Sequence, residues 1–286
     1  MKVILSRKGF DSENGGTASP VMPDGAMLSM PIPSGDSVAF DYLGYKGKSY
    51  YKIWDELKPT HKKDLCCHLD PDIRMNNRCM PNVARPGHFL HELPDNWQPI
   101  FGQVNAAETH LENQGVSIGD IFLFFGCFRP TEEIDGVLKY KKGTKDAHML
   151  FGYLQIGDII RGEEVKKYSW HPHSRYYTPK TNNTMYIASE SLVIDGDDLG
   201  LPGAGTFKYS DDLVLTMKGQ TKSRWELPDY FKEVNISCHN KDSFKPEGYF
   251  QTMRIGQEFV VSESNKVTEW AKKTIVDNFD DTNTRL

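Results

Sequence analysis

The sequence lacks the features of several large protein classes. Its 286 residues include five cysteines, an odd number, and none of them forms a Cys-x-x-Cys pair. This absence excludes zinc-ribbon and thioredoxin motifs. The longest apolar stretch, residues 121–128, is far too short to span a bilayer, and no signal-peptide pattern opens the chain. These absences predict a soluble protein of the reducing cytoplasm, with no membrane partner.

A surplus of positive charge is also missing. The formal net charge is −5, with 34 Lys and Arg residues against 39 Asp and Glu residues. This balance excludes a protein that coats DNA through a uniformly basic surface. Local basic spots remain at Lys139, Lys141 and Lys142 and at 166–167. Each spot fits either a nucleic-acid contact or an ordinary solvated loop.

The motifs of the familiar enzyme classes are absent as well. The chain has no phosphate-binding P-loop, no His-Glu-x-x-His, no Gly-x-Ser-x-Gly and no paired deaminase motif. The glycines of 200–205 do not have the spacing of a dinucleotide-binding fingerprint. Motifs therefore indicate neither the reaction nor a cofactor.

The opening segment is the most informative stretch that is present. The apolar run 3–5 predicts a buried strand, and Ser6, Arg7, Lys8 and Asp11 follow it directly. Polar groups just past a buried strand often build a site, because the sheet fixes their origin. The alternative is an ordinary surface turn. We expect Arg7, Lys8 and Asp11 to line the main polar cleft.

Further along the chain, the pattern predicts few helices and several strands. Residues 105–114 form a predicted helix, with Asn105 and Glu108 in a capping box and Gly115 as the left-handed residue at its end. Apolar strands are predicted within 116–128 and at 149–156 as a hairpin, and a closing helix at 265–278. Residues 199–205 are predicted to be loop and 213–217 to be strand.

The order of elements within 100–160 is similar to that of PUA-like barrels, whose members bind RNA or modified bases. A helix, a Gly-Asp turn, an apolar strand and a returning strand follow one another there. The expected fold class is therefore α+β, with a mixed or antiparallel sheet, a PUA-like barrel subregion and few helices. We expect one compact domain over 1–286, with a frayed tail from 280.

Two groups of His and Asp residues are candidates for reactive chemistry. His68, Asp70 and Asp72 form one group, and His171 and His173 form another that His148 could join. Such residues at alternate positions of an extended segment point the same way, so they could bind one divalent ion. They also suit a polar turn, and no residue is assigned to a metal from the sequence alone. We expect a third His or a carboxylate close to His68 and Asp70, as metal binding or proton transfer requires.

Several stretches together resemble the nucleotide modification associated domain 3 family of bacteria and phages. They are Lys2-Val-Ile-Leu-Ser-Arg-Lys-Gly-Phe-Asp11, Gly15-Gly16, Pro23-Asp-Gly25, Pro31-Ile-Pro33, His68-Leu-Asp70, His110-Leu111, Gly119-Asp-Ile-Phe-Leu-Phe-Phe-Gly126 and His148-Met-Leu-Phe-Gly152. Genomic context links that family to DNA base hypermodification. The resemblance implies a role in making, reading or processing modified nucleotides, without a known reaction.

The resemblance also implies a set of site residues. The candidates for catalysis are Asp11, His68, Asp70, His110 and His148, and those for substrate binding are Ser6, Arg7, Lys8 and Asp24. In this picture Arg7 and Lys8 neutralise a phosphate, and Asp11 orients a hydroxyl or acts as a general base. The aromatic loop with Trp170 and Tyr176 would stack on the base.

Three functional hypotheses follow. The leading one is an enzyme that acts on a nucleotide or a DNA base, and the second is a non-catalytic reader of modified bases. A third is a component of a modification or defence system with a protein partner. Polar groups that converge in one deep pocket would favour the enzyme. An aromatic cleft that lies apart from the His and Asp residues would favour the reader.

Overall fold

The computed structural model describes residues 1–59, 66–73, 95–175, 177–253 and 258–281. The predicted stacking residue Tyr176 lies outside the described residues.

The described chain contains 18 strands, three α-helices and five 3₁₀-helices. The α-helices are α1 (Tyr50–Leu57), α2 (Asn105–Asn113) and α3 (Asn265–Asn278). The strands are β1 (Val3–Arg7), β2 (Ser19–Val21), β3 (Ile32–Ser34), β4 (Val38–Ala39), β5 (Gly44–Tyr45), β6 (Lys48–Ser49), β7 (Cys66–His68), β8 (Ile100–Val104), β9 (Ile121–Ile134), β10 (Val137–Tyr140), β11 (Ala147–Arg161), β12 (Asn183–Ala188), β13 (Ser191–Ile194), β14 (Asp197–Pro202), β15 (Ala204–Thr206), β16 (Arg224–Trp225), β17 (Phe250–Gln251) and β18 (Glu258–Val261). The 3₁₀-helices are Gly162–Tyr168, Pro172–Ser174, Asp211–Leu213, Asp229–Glu233 and Lys241–Ser243.

A nine-stranded mixed sheet forms the centre of the molecule. Its main path runs β18-β1-β9-β11-β12-β8, with β2 and β10 beside β9 and β15 beside β11. Strand β1 pairs in parallel with β9 and antiparallel with β18. The remaining strands form small separate sheets. The expected α+β class is confirmed.

Strand β9 lies at the core because its sequence is apolar on both faces. All residues from Ile121 to Phe128 are buried, whereas a half-exposed strand would alternate apolar and polar residues. Helix α3 packs against β1 and adds Val267, Ala271 and Ile275 to the same core. The predicted hairpin is confirmed as β9 and β11, which pair antiparallel. The closing helix spans the predicted residues.

The predicted capping box of helix α2 is wrong. The helix starts straight after β8, and the backbone N–H of Asn105 donates to Asn182 O at 2.8 Å, so its position is set by the sheet. Asn105 has a φ of 55° and no side chain caps the helix. Glu108 is buried and accepts a hydrogen bond from the Tyr186 hydroxyl at 2.8 Å instead. Gly115, with a φ of 63°, ends the helix as predicted.

Two further element predictions are corrected. Residues 199–205 are largely strand, within β14 and β15, and not loop. Residues 213–217 are not a strand: Leu213 ends a 3₁₀-helix, and Val214 and Thr216 form only isolated bridges, with Met149 and Trp225. Backbone pairing decides both cases, since β14 pairs with β13 and β15 with β11, and local composition does not report it.

The PUA-like barrel subregion is not confirmed. In the described part of the chain no backbone pairing joins β18 to β8, the two ends of the sheet path. The two ends of the sheet are instead joined by a side-chain hydrogen bond. Gln103 Nε2 of β8 donates to Glu258 Oε1 of β18 at 2.6 Å. Among the described helices, none is both long enough and apolar enough to cross a bilayer.

Candidate active site

A cavity of about 480 Å³ opens where the carboxyl ends of β1 and β8 meet. Arg7, Lys8 and Asp11 line it, as predicted. Its lining residues are Arg7, Lys8, Gly9, Phe10, Asp11, Asn14, Ile32, Ser34, His68, Asp70, Gln103, Val104, Asn105, Cys127, His148 and His173.

The segment after β1 is positioned by the neighbouring strand β9. The N–H of Lys8 donates to Phe125 O at 2.8 Å. A Cβ on Gly126 would lie 2.7 Å from Lys8 O, so only glycine permits this approach. Asp11 then closes a tight turn, because its Oδ1 accepts the N–H groups of Glu13 and Asn14 at 2.8 and 2.7 Å. The turn holds the Asp11 carboxylate at the cavity wall.

Lys8 is engaged in a buried ion pair. Its Nζ lies 3.0 Å from Glu258 Oε1, and 4.2 Å from the centre of the Phe101 ring. The same oxygen of Glu258 accepts from Gln103 and, at 3.3 Å, from Ser6 Oγ. Glu258 therefore offsets the charge of Lys8. Ser6 is fully buried in this network and is not part of the cavity lining.

Two distant segments bring three potential metal ligands together. His68 ends β7, Asp70 follows it, and His173 lies in the 3₁₀-helix Pro172–Ser174. One ligand atom of each residue lies within 4.8 Å of the others. A third His or a carboxylate was expected close to His68 and Asp70, and the residue found there is His173.

The free edge of β8 holds this cluster in place. Backbone hydrogen bonds join Asp72 to Ile100 in both directions, at 2.8 and 3.1 Å. Further along the same edge, Gly102, which is two residues after Ile100, donates its N–H to Asp70 Oδ1 at 2.8 Å. A Cβ on Gly102 would lie 2.3 Å from the ring of His173, so glycine is required here too. The segment of Asp70 and Asp72 thus covers the edge of β8 and at the same time positions the His–Asp cluster.

The charge states of two of these residues suit metal binding. Burial by itself would raise the pKa of Asp70, but His171 and His173 lower it well below its ordinary value, and the carboxylate stays ionised. Burial lowers the pKa of His173 to about 4 although Asp70 opposes this, so the ring is neutral at pH 7. An ionised carboxylate and neutral imidazoles are the forms that bind metals. His68, Asp70 and His173 could hold a zinc ion or another transition metal ion.

His148 lines the same cavity but does not belong to the His68–Asp70–His173 cluster. Trp225 Nε1 donates to its Nδ1 at 3.0 Å. Burial, together with Lys222 and Arg7, lowers the pKa of His148 to about 3. The ring is therefore neutral over the physiological range. Asp72, the other expected member of the first group, is buried and accepts from Trp97 Nε1 at 3.2 Å.

Three other candidate residues lie outside the cavity lining. His110 Nε2 lies 3.0 Å from Ser237 Oγ. Asp24 accepts a hydrogen bond from the Tyr45 hydroxyl at 2.7 Å and forms an ion pair with Lys46. Burial by itself would raise the pKa of Asp24, but these two contacts lower it to about 2. Trp170 is buried in a core with Ile160 and Met185, and its ring is not available to stack on a base there.

Some site residues were missed by sequence reasoning. Asp36 lies 2.8 Å from His68 Nδ1, and Asn183 Oδ1 lies 3.1 Å from His173 Nδ1. Neither residue stands in a motif, so no sequence pattern could have indicated it. One of the basic spots of the sequence, formed by Lys139, Lys141 and Lys142, is exposed and does not belong to the described cavity lining.

Comparison with known proteins gives one match. No curated protein and no solved structure matches the chain. The family model described as nucleotide modification associated domain 3 matches residues 2–262, a range that includes every residue of the cavity lining. The chain therefore belongs to the nucleotide modification associated domain 3 family.

Proposed function

We propose that this protein is an enzyme that modifies a nucleotide, or a base flipped out of DNA, inside the cavity at the ends of β1 and β8. One observation carries the proposal. The cavity brings the opening segment, with Arg7 and Asp11, together with the cluster of His68, Asp70 and His173. Convergence of charged and titratable groups in one pocket is typical of catalytic sites.

The dimensions and polarity of the cavity support a substrate of nucleotide size. A volume of about 480 Å³ lies in the usual range for small-molecule sites and is far too small for a duplex. Arg7 supplies a guanidinium, which suits a phosphate because it donates two parallel hydrogen bonds. Asn14 and Asn105 add amides that suit the edges of a base or a sugar.

The reactive groups of the proposed site are the His68–Asp70–His173 cluster and Asp11. His68, Asp70 and His173 would act on the base or sugar, and Asp11 would orient a hydroxyl group or accept its proton. His148 is neutral and hydrogen-bonded to Trp225, so it suits a positioning role.

The reader hypothesis receives less support. A reader needs an exposed aromatic surface on which a base can stack. Among the described residues of the lining the one phenylalanine, Phe10, is 1 % exposed and packs edge-on against Phe40 and Trp54. Trp170, the expected stacking residue, is buried elsewhere.

Mass spectrometry of nucleosides tests the proposal. Free nucleotides and digested DNA would be compared between cells that produce the wild type and cells that produce Asp70→Asn. We expect a nucleoside of altered mass with the wild type alone. Asp212→Asn, which changes an exposed carboxylate outside the cavity lining, is the matched control and should behave as the wild type.

A reader would give a different result. It would bind a nucleotide in calorimetry with no altered nucleoside in either cell population. That outcome, or equal amounts of the altered nucleoside with Asp70→Asn, would contradict the proposed enzyme.

A further inference from the structure

We propose that His68, Asp70 and His173 form a centre for one divalent transition-metal ion, with coordination positions left open toward the cavity. Metal binding by this centre does not depend on the identity of the substrate. Its use in catalysis rests on the proposed function.

The distances within the cluster suit ligands around an ion and do not suit a hydrogen-bonded network. His173 Nε2 lies 3.7 Å from Asp70 Oδ2, longer than a hydrogen bond. Two ligand atoms bound to one ion at about 2.0–2.2 Å are separated by roughly this distance. The rings of His68 and His173 are tilted by 59° with their centres 5.2 Å apart, so they do not stack face to face.

Hydrogen bonding determines which nitrogen of His173 faces the cluster. The carbonyl oxygen of His173 can only accept, so the Asn183 group 2.6 Å from it is the amide nitrogen Nδ2. Asn183 Oδ1 then faces His173 Nδ1 at 3.1 Å and accepts a hydrogen bond from its N–H. Nε2 is therefore the ring nitrogen that faces Asp70, at 3.7 Å from Oδ2.

The same reasoning applies to His68. Its Nδ1 lies 2.8 Å from Asp36 Oδ2, and a carboxylate at this position accepts, so Nδ1 carries the proton. Asp36 is itself held by Ser34 Oγ, which donates to Oδ2 at 2.8 Å. A carboxylate that orients a histidine in this way is a common feature of metal sites, because it fixes the tautomer and makes the other nitrogen a stronger ligand.

Asp70 presents one oxygen to the cluster and uses the other for support. Its Oδ1 accepts the N–H of Gly102 at 2.8 Å and lies 3.4 Å from His171 Nε2. His171 Nδ1 accepts the N–H of His173, so His171 Nε2 carries the proton and faces the carboxylate. Oδ2 is then the oxygen that faces His173.

The cluster therefore presents two imidazole rings and a carboxylate oxygen whose ligand atoms all lie within 4.8 Å of one another. Such a set matches the ligands of a single transition-metal ion. Two nitrogen ligands and one oxygen suit zinc, iron, cobalt or manganese, whereas magnesium and calcium prefer oxygen ligands throughout. The three ligands found among the described residues leave positions for water or a substrate oxygen, as in catalytic sites. An ion there would polarise that oxygen and lower the pKa of bound water.

Metal titration of the purified full-length protein tests the centre directly. After removal of metals with a chelator, the protein would be titrated with zinc chloride by calorimetry and with cobalt chloride by visible absorption. We expect one equivalent of either ion to bind. His173→Ala and Asp70→Asn should weaken binding by about 100-fold or more, and Asp36→Asn by about 10- to 100-fold, since Asp36 acts only through His68. Asp212→Asn should bind as the wild type does.

Three results would overturn the centre. They are the absence of stoichiometric binding, equal affinity in the wild type and in folded Asp70→Asn, and a thiolate charge-transfer band in the cobalt spectrum, which would assign the ion to cysteines. Thermal unfolding of each variant identifies any that fails to fold, and Asp36→Asn, which leaves all three ligands in place, then supplies the comparison. Stoichiometric binding through these ligands supports the centre even where no altered nucleoside is found, so failure of the proposed function is a separate result.

Discussion

The backbone of Gly102 lies directly beneath the ring of His173. A Cβ atom at this position would come within 2.3 Å of His173 Cγ, and the Gly102 N–H donates to Asp70 Oδ1 at 2.8 Å. One residue of an edge strand thus sets the positions of two members of the His–Asp cluster. A methyl group there must displace the His173 ring, since the strand itself is held in the sheet by β12.

Gly102→Ala should accordingly weaken zinc binding by at least tenfold and destabilise the fold by about 1–3 kcal/mol through overpacking. Gly205→Ala is the matched control, because a Cβ there would lie 2.6 Å from the ring of Phe279, away from the cavity lining. It should lose comparable stability while the folded protein keeps the wild-type affinity. Calorimetry and urea unfolding measure the two effects, and unaltered affinity in Gly102→Ala would contradict the expected displacement.

The pair of Lys8 and Glu258 should contribute to the stability of the fold. Both side chains are at most 9 % exposed, so removal of one partner leaves a buried charge without compensation. We expect Glu258→Gln or Lys8→Met alone to cost about 3–5 kcal/mol in the free energy of unfolding. The double variant Lys8→Met/Glu258→Gln should be more stable than the sum of the single changes predicts.

A double-mutant cycle by urea denaturation measures this coupling. Strictly additive effects would show that the pair does not act as a unit. A Lys8→Met variant with unchanged stability but lost nucleotide binding would return Lys8 to the phosphate-binding role predicted from the sequence.

Glu108 should make the protein less stable as the pH rises from about 4.5 to about 7. Burial raises the pKa of Glu108 from its ordinary value of 4.5 to about 7, with Tyr186 and Arg161 opposing the rise. In this window the unfolded chain has released the proton and the folded chain still holds it. Stability therefore falls with increasing pH, by about 3 kcal/mol at most.

Glu108→Gln imitates the protonated acid and removes this titration. The variant should match the wild type near pH 4.5 and exceed its stability at pH 8. Urea unfolding at both pH values is the measurement. An equal pH dependence in the two proteins would mean that Glu108 has an ordinary pKa.

Arg7 and the exposed lysines should differ in what they bind. Arg7→Met should weaken the binding of a nucleoside monophosphate without changing that of the nucleoside, because in the proposed complex the guanidinium binds the phosphate. Lys141→Ala/Lys142→Ala should leave both affinities unchanged, since these side chains do not line the cavity. If DNA also binds, its affinity in the double variant should depend less steeply on salt. Isothermal titration at several salt concentrations measures these affinities. An unchanged salt dependence of DNA binding in the double variant would reject Lys141 and Lys142 as DNA contacts.

Local sequence patterns were sufficient for several parts of this protein. The apolar run 3–5 indicated β1, and therefore the place from which Arg7, Lys8 and Asp11 reach the cavity. Helical spacing indicated α3, and apolar runs indicated the hairpin of β9 and β11. These elements are determined by residues close together in the chain, so periodicity alone reveals them. The capping box at Asn105 failed because β8 and the sheet, not the local sequence, fix the start of α2.

Only the tertiary structure decided which histidine joins His68 and Asp70. The sequence indicated only that a His or a carboxylate should lie there, and it placed His148, His171 and His173 in a separate group. His173 joins the cluster because Gly102 leaves room for its ring and Asn183 faces its Nδ1, whereas His171 lies against the other oxygen of Asp70. Asp36 and Gly102 stand in no motif, and Lys8 could not be seen to pair with Glu258. Such contacts depend on how the sheet curves and which strand forms its edge, and the chain determines these only when the whole core packs together.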